Sequence, residues 1–266
     1  MPTSSQGKMM RISFDLFTAA AAKTADIDFS FKPILGILLA VCALRAWQTG
    51  YFRALFSYFR SWTLRRIQVF HFLLFILIVL IIMRFFDQPV LNLILAYEDN
   101  PVLSTLTYCG GLFGKNINFW AFMSLIYLGL SLNPAWRKAA HLFFGMMLTS
   151  ALAALVVHGL KFIFLRTRPY GEHGPFSFFN WTGLTENRHV FQSLASGDVA
   201  LVAGASGYLF YAIRNRYWRW LVLLIPISTA LSRIVHEKHW PSDTAASIAI
   251  SMLIARFVWA YQKIKI

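Results

Sequence analysis

Apolar residues fall along this chain in long unbroken runs, not in the alternating pattern of a half-buried strand. A helix crossing the hydrocarbon of a bilayer needs about 20 mostly apolar residues. "QVFHFLLFILIVLIIMRFF" (68–86) meets that length, and comparable runs occupy 117–132, 139–160, 198–213, 218–235 and 242–262. Continuous runs exclude a membrane β-barrel, whose strands alternate in polarity. The pattern predicts an all-α, polytopic membrane helix bundle with six core transmembrane helices. Small residues in the fifth and sixth runs suit close helix packing.

Two shorter apolar segments precede the first span. The first, 31–47, has Arg45 near its end; the second, 51–67, sets Phe52, Phe56 and Phe59 on one face and Arg53 and Arg60 on another. Both read as N-terminal interfacial helices at the cytoplasmic leaflet, with a seventh span at 31–47 as the rival. The division expected is an N-terminal cytoplasmic or interfacial segment (1–67) and a six-helix membrane domain (68–266). Residues 89–113, with Pro89, "YEDNP" and a Gly-Gly pair, read as an outward-facing cap partly resting on the membrane.

Composition sharpens this picture. Hydrophobic residues make up 58% and charged residues only 14% of the 266 positions, too apolar for an ordinary soluble domain. The 25 Lys and Arg against 11 acids give a formal +14, which fits lipid headgroups and topology-setting loops better than nucleic acid, because the chain has little polar surface. Arg53, Arg60, Arg65, Arg66, Arg137, Lys138, Arg214, Arg216, Arg219, Lys263 and Lys265 all fall on one side of a six-span topology. The positive-inside rule makes that side, and both termini, cytoplasmic. Cys42 and Cys109 form no metal-ligand spacing and no disulfide framework.

The opposite face also carries cations. Arg166, Arg188 and Lys238 read as members of a solvated basic loop. Lys161, Arg168 and Arg233 differ, because each abuts a predicted span, where an unpaired cation costs about 3 kcal/mol if it reaches the helix centre. Too few acids lie on this side to pair them, so a bound phosphate is the expected partner. Ser196 and Gly197 open the fourth run and offer backbone N–H groups at a helix N-terminus. His239 precedes Pro241, a helix-start proline, and Asp243 follows four residues later, within expected reach of the imidazole.

At these positions the chain resembles the type 2 phosphatidic-acid phosphatase superfamily. Lys161 with Arg168-Pro169 matches the first signature, and Ser232-Arg233, His239 and Asp243 match the third. The resemblance covers roughly 139–262. It implies that Lys161, Arg168, Ser196, Gly197 and Arg233 hold the phosphate oxygens. His239 would attack phosphorus to give a phosphohistidine, and Asp243 would orient it, without metal or other cofactor. One position departs: where the family's second signature has a histidine that protonates the leaving group, this chain has Asp198, with His189, His236 and His173 as candidate substitutes.

The resulting expectation is a metal-independent lipid phosphatase of the bacterial inner membrane, its site facing the periplasm. It would cleave the terminal phosphate of an embedded lipid phosphate or diphosphate, with undecaprenyl diphosphate, lipid A and glycerophospholipid phosphates as candidate substrates. Lipid-to-lipid phosphotransfer at the same site, and non-catalytic binding of a lipid phosphate, are the alternatives.

Overall fold

The computed structural model describes residues 28–48, 66–171, 173–181 and 189–263. Among them the regular structure is entirely helical. Of the predicted interfacial helix 51–67, residues 51–65 lie outside the described residues. In chain order the helices are α1 (Asp28–Gln48), α2 (Arg66–Phe85), α3 (Asp87–Ala96), α4 (Pro101–Gly114) and α5 (Asn116–Leu132). They continue with α6 (Arg137–Phe164), α7 (Gly197–Ala212), α8 (Arg216–Val222), α9 (Leu224–Val235) and α10 (Pro241–Lys263).

Each of the six predicted runs forms helix, but not all are long enough to cross a bilayer alone. Pro134–Gly171, Arg216–Val235 and Pro241–Gln262 meet the length and hydropathy of a span, and the bent pair Leu77–Phe85 and Asp87–Ala96 makes a fourth if taken together. With 16 residues, α7 is about 24 Å long at about 1.5 Å per residue, short of the roughly 30 Å hydrocarbon. The protein is thus a helical membrane protein in which, among the described residues, fewer helices than the six expected have the length of a full span.

The bundle is organised around α7, which is buried on nearly every side from Gly197 to Tyr208. Its neighbours α6 and α10 pack close because the facing residues are small. A Cβ on Gly204 would lie 2.7 Å from Ser150 Cα, and one on Gly145 would collide with the Tyr208 ring. Two hydroxyls tie the three helices: Ser150 Oγ donates to Leu201 O (2.7 Å) and Ser251 Oγ to Ala200 O (3.1 Å). Interhelical hydroxyl bonds and small residues are the usual means of holding helices where lipid removes the hydrophobic drive.

The segment expected to cap the membrane surface is instead built into the bundle. Helix α4, N-capped by Asn100, lies directly on α9: a Cβ on Gly110 would sit 2.1 Å from Ser228 O, and one on Gly114 2.7 Å from Thr229 Cγ2. Gly110 and Gly114 are the ends of a small-xxx-small spacing, so the Gly-Gly pair serves helix contact and not a turn. Nearer the N-terminus, α1 packs on α5 through buried Cys42 and Ala46 against Met123 and Tyr127. At 21 residues with Pro33 inside it, α1 has an apolar stretch (Pro33–Gln48) shorter than a span.

Candidate active site

Four chain segments converge at one end of the bundle: the C-terminus of α6, the N-terminus of α7, the C-terminus of α9 and the turn leading into α10. Helix α6 stops at Leu165, which takes a left-handed conformation (φ 42°) and reverses the chain. The following connection is strapped by backbone bonds from Thr167 N to Ser177 O, Arg168 N to Val190 O and Ser193 N to Arg166 O. After α9 the chain folds back on itself, with Lys238 N and His239 N both donating to Arg233 O (3.0 and 3.3 Å). That turn fixes the imidazole of His239 relative to the guanidinium of Arg233.

A cavity of about 280 Å³ opens at this junction, and Lys161, Arg168, Gly197, Asp198, Arg233 and His239 all line it. Lys238 lines it too, and burial, then the Arg233 charge, pulls its ammonium pKa below the usual lysine value. Trp120, Ala154 and Leu201 form apolar wall. Four cations therefore face one carboxylate. Arg233 Nε lies 3.0 Å from Asp198 Oδ2 but is not aligned to donate to it. Arg168 Nε and Ser196 Oγ are likewise buried without a hydrogen-bond partner. Buried donors of this kind normally find acceptors, and a tetrahedral oxyanion offers several.

His239 is 3% exposed. Its Nδ1 lies 2.7 Å from Ser193 O, and a carbonyl can only accept, so Nδ1 carries the proton and Nε2 keeps its lone pair. Burial, then the charges of Lys161 and Arg168, holds the imidazole pKa well below its ordinary value, against the opposing pull of the Ser193 carbonyl. The ring is neutral at physiological pH, as a nucleophile requires.

Asp243 does not hold the ring directly, contrary to expectation. Its Oδ2 is 3.9 Å from His239 Nδ1. The four-residue reach assumes a helical face, whereas His239 lies ahead of the helix that begins at Pro241. Asp243 instead accepts from Ser193 Oγ (2.5 Å) and Trp240 N (3.0 Å), so it positions the residue whose carbonyl holds the imidazole. Its Oδ1 takes Arg166 Nη1 at 2.5 Å.

Arg166 is likewise no solvated loop residue. It is fully buried, ion-paired to both Asp243 and Asp87, bonded to Pro175 O through Nε and Nη2, and flanked by the rings of Phe178 and Trp240. Asp87 in turn accepts from Ser242 N (2.8 Å) and Ser242 Oγ (2.6 Å). This buried Asp87–Arg166–Asp243 cluster, which no local pattern in the sequence announces, ties the start of α3 and the α6–α7 connection to the start of α10.

The remaining expectations divide. Ser196 is the N-cap of α7 and buried, but its side chain makes no capping bond and it does not line the cavity; Gly197 does. Lys238, expected in a solvated loop, borders the cavity, and Arg188 lies outside the described residues. None of the three candidate substitute histidines lines the cavity: His236 Nδ1 turns back to Ser232 O, His173 stacks on Phe191, and His189 is exposed. His158, which no sequence motif singles out, does line it. Among the described residues no three His, Cys, Asp or Glu side chains gather as metal ligands.

Residues 138–266 match the PAP2 superfamily. The match covers 129 of the 266 residues, the C-terminal part of the chain. The matched PAP2 region contains Lys161, Arg168, Arg233, His239 and Asp243. No curated protein matches the chain in sequence. Among solved structures, Aquifex aeolicus LpxE superposes with a TM-score of 0.50 at 17% identity, over 66% of this chain and 95% of that one. At that identity the likeness is one of fold. The PAP2 match over this region supports a lipid phosphatase at the level of the family.

Proposed function

We propose that the protein is a membrane lipid phosphatase that removes the terminal phosphate of an embedded lipid phosphate or diphosphate through a phosphohistidine on His239. The observation that carries this reading is the neutral, buried His239, whose Nδ1 is pinned to Ser193 O while the ring borders the same cavity as Lys161, Arg168 and Arg233. Nε2 attacks phosphorus, and the three cations with the Gly197 N–H neutralise charge on the non-bridging oxygens. The lipid oxygen departs, and water then cleaves the P–N bond to release phosphate.

Orientation is part of the same proposal. Arg137 and Lys138 begin α6, whose far end carries Lys161; Arg214, Arg216 and Arg219 cluster beyond the end of α7, whose start carries Gly197. The site thus lies at the bundle end opposite these loops, which favours a periplasmic active site under the positive-inside rule. In a background without native cysteines, His173→Cys and Arg214→Cys should label from opposite sides of inner-membrane vesicles.

Turnover is tested by phosphate release from purified protein with a lipid diphosphate, lipid A and phosphatidate. Release on at least one, resistant to chelator and blocked by vanadate, is the expected result. Chelator-sensitive turnover would contradict the metal-free scheme. Adding a second lipid as acceptor separates hydrolysis from phosphotransfer, because only the latter yields a newly phosphorylated lipid.

A further inference from the structure

Breaking a phosphate ester at a lipid oxygen leaves an alkoxide, a poor leaving group unless it takes a proton as the bond breaks. Apart from the four cations and His239, the titratable groups lining the cavity are Asp198 and His158. Asp198 is the ion-pair partner of Arg233, its Oδ2 3.0 Å from Nε, so its carboxylate is already engaged by a cation. His158 is placed differently. Its Nδ1 lies 2.8 Å from Ala154 O, one turn back along α6, so Nδ1–H is committed to that carbonyl and proton exchange runs through Nε2.

The ring also lies against the first turn of α7. A Cβ at Gly197 would sit 3.1 Å from His158 Cε1 and 3.9 Å from Nε2, so the absence of a side chain there lets the imidazole border the cavity. His158 precedes Lys161 by three residues, which puts the two on one face of α6 a turn apart. Past His158 along α6 lies Ala154, and past Gly197 along α7 lies Leu201, both lining the same cavity. His158 therefore stands between the cationic end and the apolar wall, where a phosphate held by the cations meets its lipid.

Resting on the phosphatase reading above, we propose that His158 is the acid that protonates the leaving lipid oxygen, a function to which Asp198 is poorly disposed. His158 starts as imidazolium. As His239 Nε2 bonds to phosphorus, the P–O bond to the lipid breaks, its electron pair stays on oxygen, and that oxygen takes the Nε2 proton of His158. Neutral His158 then accepts a proton from the attacking water as the new P–O bond forms and the P–N bond breaks. This restores the imidazolium and leaves His239 neutral.

The test compares phosphatidate, which leaves as an alkoxide, with p-nitrophenyl phosphate, whose leaving group needs no proton. In His158→Gln, kcat/KM, which reports the steps through departure of the leaving group and not the later cleavage of the P–N bond, should fall on phosphatidate by about 100-fold to 10,000-fold, the range of general acid–base catalysis, while kcat/KM on the aryl ester changes less than about threefold. The aryl activity doubles as proof of folding, and His158→Asn should repeat the pattern. Equal losses on both substrates, or no loss on phosphatidate, overturn the assignment while the phosphatase reading stands. The assignment is overturned in the same way if Asp198→Asn, and not His158→Gln, gives the leaving-group-selective loss. If the wild-type protein releases phosphate from neither ester nor from a lipid diphosphate, the phosphatase reading fails and His158 with it.

Discussion

Replacing Asp87 with alanine strips Arg166 of one of its two carboxylates in a place where water cannot substitute. Both side chains are 0% exposed and lie 2.5 Å apart. Exposed ion pairs contribute about 0–1 kcal/mol, but removing one partner of a buried pair costs roughly 3–5 kcal/mol, because the other charge remains buried and under-compensated. Asp87 also accepts from Ser242 N and Ser242 Oγ, and leaving a buried donor unpaired costs about 1–3 kcal/mol. These costs overlap and do not add, so the lower figure of about 3 kcal/mol is the working magnitude. Asp87→Asn retains an acceptor for Ser242 N and loses only the charge, so it should fall between wild type and Asp87→Ala. The assay is thermal unfolding in detergent at a fixed scan rate, with exposed Glu98→Gln as reference. If Asp87→Ala melts with the reference variant, Asp87 does not hold the charge of Arg166 and the three-residue cluster is not what fixes the start of α10.

Two further outcomes follow from the geometry. Gly110→Val should separate α4 from α9, because a Cβ at Gly110 meets Ser228 backbone at 2.1 Å and backbone cannot rotate away; a lower melting temperature is expected, and an unchanged one would mean the helices do not pack as described. His239 should stay neutral well into the acid range, since burial and the neighbouring cations depress its pKa; ¹⁵N-histidine NMR, assigned with His239→Gln, would contradict this by showing its titration near about 6.5, the ordinary value. The unfolded chain binds this proton below about 6.5 and the folded chain does not, so the imidazole's contribution to stability is complete above that pH. It is lost as pH falls toward the depressed folded value, and His239→Gln should flatten that part of the stability curve.

The helices were legible because bilayer-length apolar runs leave few alternatives, and every predicted run became helix. Span number was less legible: α7 reads as a span by composition, yet its 16 residues are surrounded by protein, which a short helix tolerates where a lipid-facing one does not. Helix α4 was misread because Pro101, the Gly-Gly pair and "YEDNP" resemble surface punctuation; the Gly110–Gly114 spacing was the available signal for a packed helix. In the site, residues bordering the predicted spans, Lys161, Arg168, Arg233 and His239, do meet around one cavity. Arg166 escaped because its partners, Asp87 and Asp243, are 79 and 77 residues away, and such distant pairing leaves no local trace. His158 could have been found from its three-residue offset to Lys161 on a helix.

The central claim is that phosphorus is transferred to Nε2 of His239. Rapid acid-free quenching of the enzyme with a ³²P-labelled lipid phosphate tests it most directly. The predicted result is a base-stable, acid-labile phosphoryl group on wild-type protein that maps to His239 and vanishes in His239→Gln together with phosphate release. Steady release of phosphate by His239→Gln at the wild-type rate would contradict it.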